Sequence, residues 1–145
     1  MKKYIAVLGF IGVVFTSCAQ NTVQGEIPSV VLNSFQQKFS NATDIEWKVK
    51  DNVYKVEFDT GNNEHEVWID HTGKIISHKE EIRTNQLPAV IANAIKRDFP
   101  GYRIEDADKI DTDGTVTYKV ELDKGSLEWK ATYDASGKLL NKIPD

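Results

Sequence analysis

Hydrophobic residues along the chain fall into two periodicities, each used twice. After Pro28, apolar residues stand at Val31, Phe35 and Phe39, a spacing of four that makes one helical stripe, with Asn33, Gln36 and Gln37 on the polar side. After Pro88 the stripe returns as Ile91, Ile95 and Phe99, against Asn93, Lys96 and Arg97. Proline suits a first helical turn, where a missing N–H costs nothing. Asn41 is the expected stop of the first helix and Pro100-Gly101 of the second. The period then becomes two. Ile45, Trp47 and Val49 alternate with Glu46, Lys48 and Lys50, and Tyr54, Val56 and Phe58 with Lys55 and Glu57. His65, Val67 and Ile69 alternate with Glu64, Glu66, Trp68 and Asp70, and Lys74 to Glu80 returns as a fourth strand. Later, Tyr118, Val120 and Leu122, then Trp129, Ala131 and Tyr133, point one way, while Lys119, Glu121, Glu128 and Lys130 point the other. This alternation predicts antiparallel strands with one buried and one wet face.

The two series are one unit written twice. Ile27-Pro28-Ser29-Val30-Val31 recurs as Leu87-Pro88-Ala89-Val90-Ile91, an offset of 60 that also relates Phe39 to Phe99. Tyr54-Lys55-Val56-Glu57-Phe58 recurs as Tyr118-Lys119-Val120-Glu121-Leu122, and Asp70-His71-Thr72-Gly73-Lys74 as Asp134-Ala135-Ser136-Gly137-Lys138, now at an offset of 64. The second copy therefore carries four extra residues (64 against 60) around Glu105 to Gly114. The expected fold is α+β: two tandem repeats, 26–82 and 83–145, each a helix packed on a four-stranded antiparallel meander. Each repeat is near the lower size limit for folding alone. The join from Glu81 to Gln86 lacks a Gly/Ser linker, so the copies are expected to pack together, with one continuous sheet as the arrangement that protects strand edges.

The first 17 residues read as an export signal. Lys2 and Lys3 give the positive start, and Ile5 to Phe15 is an apolar run too short to span a bilayer, which takes about 20 residues. Two cleavages compete. Phe15-Thr16-Ser17-Cys18 resembles a lipobox, which would make Cys18 the lipidated first residue and 18–25 a polar tether; ordinary cleavage after Ala19 is the alternative. The lone cysteine also excludes an internal disulfide. The formal charge is −4 over 145 residues and becomes −6 once Lys2 and Lys3 are gone. That acidity argues against a nucleic-acid binder. It also leaves anchoring to acyl chains rather than to charge.

The set Pro-x-x-Val (Pro-x-x-Ile in the second copy), Phe-Ser or Phe-Pro, Tyr-Lys-Val-Glu and Asp-x-x-Gly-Lys, in order and twice between Ile27 and Ile143, resembles the PepSY-like family, also described as β-lactamase-inhibitor-like. The resemblance implies an exported bacterial protein with tandem helix-plus-sheet repeats and an open sheet face able to hold a partner. It supplies no catalytic residues and does not imply inhibition of a β-lactamase.

Candidate chemistry is sparse. Asp70-x-x-Gly73 and Asp134-x-x-Gly137 read as hairpin turns, the carboxylate capping and the glycine taking positive φ. His65, His71 and His78 lie within fourteen residues, but a hairpin centred near Thr72 sets Glu66 opposite His78 and sends His65 to the other face, so no zinc site is expected. There is no Gly-rich phosphate loop, nucleophile elbow or Cys–His pair, and neither an enzyme nor a cofactor is expected. Trp68 falls on the wet face near Ile76, where its counterpart is Thr132. Tryptophan is over-represented among interface hot spots. Trp68, rimmed by Lys48, Lys55, Glu57 and Glu66, is thus the candidate contact for a protein or peptide partner of the cell envelope. The protein would be a periplasmic or outer-membrane-anchored lipoprotein, alternatively soluble in the periplasm or secreted. The competing reading is a small-ligand or metal carrier using His65, His71, His78 and Glu66.

Overall fold

The structure, a computed structural model, describes residues 27–145. The export signal, Cys18 and the tether 18–25 lie outside the described residues. Helix α1 (Ser29–Lys38) precedes strands β1 (Thr43–Lys50), β2 (Val53–Thr60), β3 (Asn63–Asp70) and β4 (Ile75–Glu81). A short 3-10 turn at Thr84–Gln86 leads into α2 (Ala89–Asp98), β5 (Arg103–Thr112), β6 (Thr115–Lys124), β7 (Leu127–Asp134) and β8 (Leu139–Pro144). The eight strands form one antiparallel sheet in chain order. Strand β4 joins β5 through the pairs from Ser77↔Thr112 to Glu81↔Asp108. No helix among the described residues is long and apolar enough to cross a membrane.

The helical stripes do what their spacing predicts. Val31 and Phe35 are buried with Trp47, Tyr54, Val56, Phe58, Val67 and Ile69 in one core. Ile91, Ile95 and Phe99 are buried in a second core with Val120, Leu122, Ala131 and Tyr133. Pro28 and Pro88 stand one position earlier than expected, as the caps: each carbonyl accepts two N–H groups of the first turn, from Val31 and Leu32 and from Ile91 and Ala92. Both helices end just before the phenylalanine of their stripe, whose N–H still bonds back to the carbonyl four residues earlier.

Strand β1 departs from its alternation. Trp47 meets Phe35 edge-on at 5.3 Å, but Ile45 and Val49 are 38% and 39% exposed. This strand is the sheet edge: α1 packs on it at Trp47, and its register breaks between Thr43 and Glu46, beside Ile45, where Asp44 takes a φ of 51°. The turns match their sequences: Asp51 and Asn52 both take positive φ, as a two-residue type I′ hairpin requires, and Asp113-Gly114 does the same in the second half. The four extra residues lengthen that hairpin by two per strand, β5 and β6 having ten residues where β1 and β2 have eight.

One difference changes which side chains meet. Next to the β3–β4 turn the register is Ile69↔Ile75, as a hairpin centred on Thr72 demands. A bulge then shifts it, and Glu66 pairs with Lys79 while Val67 pairs with His78. An extra residue reverses the facing of everything beyond it. His78 therefore lies on the helix side, not opposite Glu66. The same bulge recurs between β7 and β8, where Tyr133↔Leu139 is followed by Thr132↔Asn141.

Candidate functional site

Both helices lie on one side of the sheet, and the other side carries the polar half of each strand. On that open face a line of ion pairs crosses five strands. Lys48 of β1 reaches Glu57 of β2 at 2.8 Å, and Lys55 of β2 reaches Glu57 at 2.7 Å and Glu66 of β3 at 2.5 Å. Lys79 of β4 then reaches Glu66 at 2.8 Å and Asp108 of β5 at 3.7 Å. Hydrogen bonds from Lys48 and Lys55 hold the Glu57 carboxyl below its usual range. Burial pushes the Glu66 carboxyl upward, but the ammonium groups of Lys55 and Lys79 outweigh it and the net direction is down. Asp108 goes the other way: its burial outweighs the distant Lys79 and raises its carboxyl. Half-exposed pairs of this kind contribute about 0.2–1 kcal/mol each. The line is thus a neutralised surface, not an acid–base dyad.

Trp68 stands on this face on β3, between Lys55 of β2 and Ser77 of β4 in the register. It is half-buried rather than fully exposed, and the Lys55 ammonium lies 5.2 Å from its ring centroid. The indole separates two shallow depressions. One, of about 400 Å³, is lined by Lys48, Lys50, Asp51, Val53 and Lys55. The other, of about 430 Å³, is lined by Ile76, Ser77, Thr112 and Asp113. The bulge creates the second by turning Ile76 toward Trp68, and the lengthened β5 supplies its far wall. At the equivalent place in the second half Thr132 replaces the indole, and Leu140, the counterpart of Ile76, is 51% exposed.

The structure thus brings Trp68, Lys48, Lys55, Glu57 and Glu66 together on one surface, and adds Lys79 and Asp108, which strand alternation alone did not single out. It does not gather the residues of the carrier reading. Glu66 faces away from the helices, His71 sits in an exposed turn, and among the described residues no group of three or more His, Cys, Asp or Glu side chains is placed to hold a metal ion. His65 and His78 do meet, their Nδ1 and Nε2 atoms 3.0 Å apart, a contact hidden from the sequence because the bulge creates it.

The two Asp-x-x-Gly turns are matched caps. Asp70 Oδ1 accepts the Thr72 N–H (2.8 Å), the Thr72 hydroxyl (2.6 Å) and the Lys74 N–H (3.1 Å). Asp134 Oδ1 accepts the corresponding groups of Ser136 and Lys138 at 2.9, 2.6 and 3.1 Å. These carboxylates are spent on their own turns.

A helix-backed antiparallel sheet with one bare face defines the class of protein. The family description "Putative beta-lactamase-inhibitor-like, PepSY-like" matches residues 15–77 and again 52–141, so the chain belongs to the PepSY-like family. Several solved structures share the fold. A DUF2874 family protein from Bacteroides uniformis superposes with a TM-score of 0.71 at 13% identity, over 81% of this chain and 88% of that one. A BLIP-like protein from Bacteroides fragilis gives 0.68 at 20% identity, over 84% and 90%. A Bacteroides eggerthii protein described as "putative periplasmic" gives 0.72 at 14% identity, over 81% and 88%. Comparison with curated proteins yields no match.

Proposed function

We propose that this protein is an exported, non-enzymatic binding module of the cell envelope, built from tandem copies spanning 26–82 and 83–145. It engages a protein partner through the open sheet face. Export is supported by the leader pattern of residues 1–17 and by the periplasmic description of the Bacteroides eggerthii relative. Cys18 is the proposed lipid anchor.

The observation that carries the docking reading is Trp68, an indole on the solvent side of the sheet with an apolar-floored depression on each flank. A large aromatic held on a polar face by neighbours that are already ion-paired gives area to a contact at little ordering cost. Charge complementarity narrows the partner. Of the lysines that edge the first depression, Lys48 and Lys55 are already paired with Glu57 and Glu66, while Lys50 makes no ion pair among the described residues. The fitting occupant is a protein segment with an apolar side chain for the depression and a carboxylate beside it for Lys50.

The test places a photo-crosslinking residue at Ser77 on the open face and, separately, at Val90 on α2, and treats envelope extract with each protein. A partner crosslinked from position 77 through an acidic, apolar segment, and lost in Trp68→Ala and Lys50→Glu while the melting temperature holds, is the expected result. Crosslinking from position 90 alone, or capture unchanged by Trp68→Ala, overturns it.

A further inference from the structure

Under the C-terminal end of α1 the two imidazoles of His65 and His78 face one another. Their ring centroids are 5.3 Å apart and their planes differ by 26°. That separation equals the 3.0 Å Nδ1–Nε2 contact plus about one ring radius at each end, so the rings lie end to end, and the contact is an in-plane hydrogen bond rather than a stack. A bond along that line takes one N–H and one lone pair. The free nitrogen of His65, Nε2, lies 2.6 Å from Thr60 Oγ1, a hydroxyl that can donate or accept. The pair therefore keeps its bond when neutral and when it gains one proton on an outer nitrogen. A second added proton sets two N–H groups against each other and breaks it. Phe58 lies parallel to His65 at 5.0 Å, and Phe39 stands edge-on to His78 at 5.2 Å.

The second half fixes what this place can hold. The counterparts of Phe39, His65 and His78 are Phe99, Trp129 and Lys142. The Lys142 ammonium lies 5.7 Å from the Phe99 centroid and 5.4 Å from that of Trp129. A permanent cation thus occupies, between equivalent aromatic rings, the position that His78 fills in the first half. Charged groups reach the histidines from every neighbouring element: Lys38 from α1, Asp59 from β2, Glu80 from β4 beside His65, and Asp111 from β5 opposite His78, with Lys109 of β5 opposite Glu80 in the strand register. Three carboxylates against two ammonium groups leave room for one positive charge.

We propose that His65 and His78 act as a single proton-binding site, neutral at neutral pH and taking one proton on acidification, which couples the packing of α1 and the β4–β5 seam to the acidity outside the cell. Burial holds both imidazoles below their ordinary value of 6.5, and each further depends on its neighbours, His65 itself adding to the depression of His78. The sign follows. The unfolded chain binds protons more readily than the native one, so stability is full above 6.5 and declines as the pH falls through the lowered native values.

Thermal melts from pH 7.5 to 5.5, above the range where ordinary carboxylates titrate, compare the wild-type chain with His65→Trp/His78→Lys, which copies the second half. The wild-type melting temperature is expected to fall by several degrees and that of the variant to stay level. Imidazole NMR of the wild-type protein gives a second readout that needs no variant: a ring N–H between the histidines protected from solvent exchange at pH 7.5, with both rings shifting together on acidification. Parallel melting profiles in a folded variant, or two rings titrating independently with a freely exchanging N–H, overturn the proposal.

Discussion

Gly73 and Gly137 illustrate how one residue serves two constraints. Both take positive φ, 87° and 84°, where a side chain is strained. Both also lie against the first turn of a helix. A Cβ on Gly73 would stand 3.0 Å from the Val30 carbonyl oxygen, and one on Gly137 would stand 3.0 Å from Val90 Cγ2 and 3.1 Å from the Val90 carbonyl oxygen. The Ser34 hydroxyl donates to the Gly73 carbonyl at 2.6 Å, which ties the same turn to α1. Gly61 has the conformation without the crowding, with φ 63° and nothing within 4 Å of its would-be Cβ. Gly61→Ala is expected to cost about 1 kcal/mol, the backbone penalty alone, and Gly73→Ala about 2–3 kcal/mol, because the clash with backbone adds to it. Urea unfolding of the two variants checks the difference; equal losses would mean that the turn does not brace the helix.

The β5–β6 hairpin shows what an element's length can decide. Its four extra residues put Asp111 and Thr112 opposite His78 and Ser77, two of the five pairs that hold β4 to β5. They also place Asp113 where its N–H bonds the Ile76 carbonyl at 3.3 Å and its carboxylate meets Lys74 at 2.7 Å. Deleting Asp111, Thr112, Thr115 and Val116 would restore the length of the β1–β2 hairpin. The expected result is a second core still folded and the amide of His78, whose N–H points to β5, exchanging at least tenfold faster, about 1.4 kcal/mol of lost local protection. The place and size of this extension are legible in the sequence, as are both helices, the strand order and the Asp-x-x-Gly turns, because each follows from a period or an offset within a few residues. The bulges at Ile76 and Leu140 are not. A single extra residue leaves the apolar pattern nearly intact, and the same bulge in β8, which pairs with β7 alone, shows that its placement is settled within the hairpin. The exposure of Val49 escaped because alternation tells which side a residue faces, not whether anything covers it, and Ile45 adjoins a further break in register between Thr43 and Glu46. Trp68 was legible as an aromatic on the wrong face; its second depression, lined by Ile76 and Thr112, depends on the bulge and on the extension together.

At the scale of the whole molecule the sheet is continuous but its interior is not. The buried residues under α1 and those under α2 form separate cores. The seam between them is backbone pairing of β4 with β5, the 3.7 Å Lys79–Asp108 contact, the exposed Lys74–Asp113 pair, the Ser77–Thr112 hydroxyl contact at 3.1 Å, and the backbone bonds from Asp113 N–H to the Ile76 carbonyl at 3.3 Å and from Ile82 N–H to the Ala107 carbonyl at 2.8 Å. Such contacts align the halves and cover two strand edges, yet bury little apolar surface between them, so they couple the halves less tightly than a shared core would. A cavity in one core should therefore be felt mainly in that half. Leu122, 1% exposed in the second core, is the sharpest probe. Leu122→Ala should cost about 3 kcal/mol, and hydrogen exchange should then rise across β6, β7 and β8 while β1, β2 and β3 keep most of their protection. Strand β4 decides the question: with β5 loosened it becomes an edge, and its amides should gain exchange to an intermediate degree. Uniform acceleration through all eight strands would instead mean that the seam transmits the full loss and that the two halves unfold as one unit.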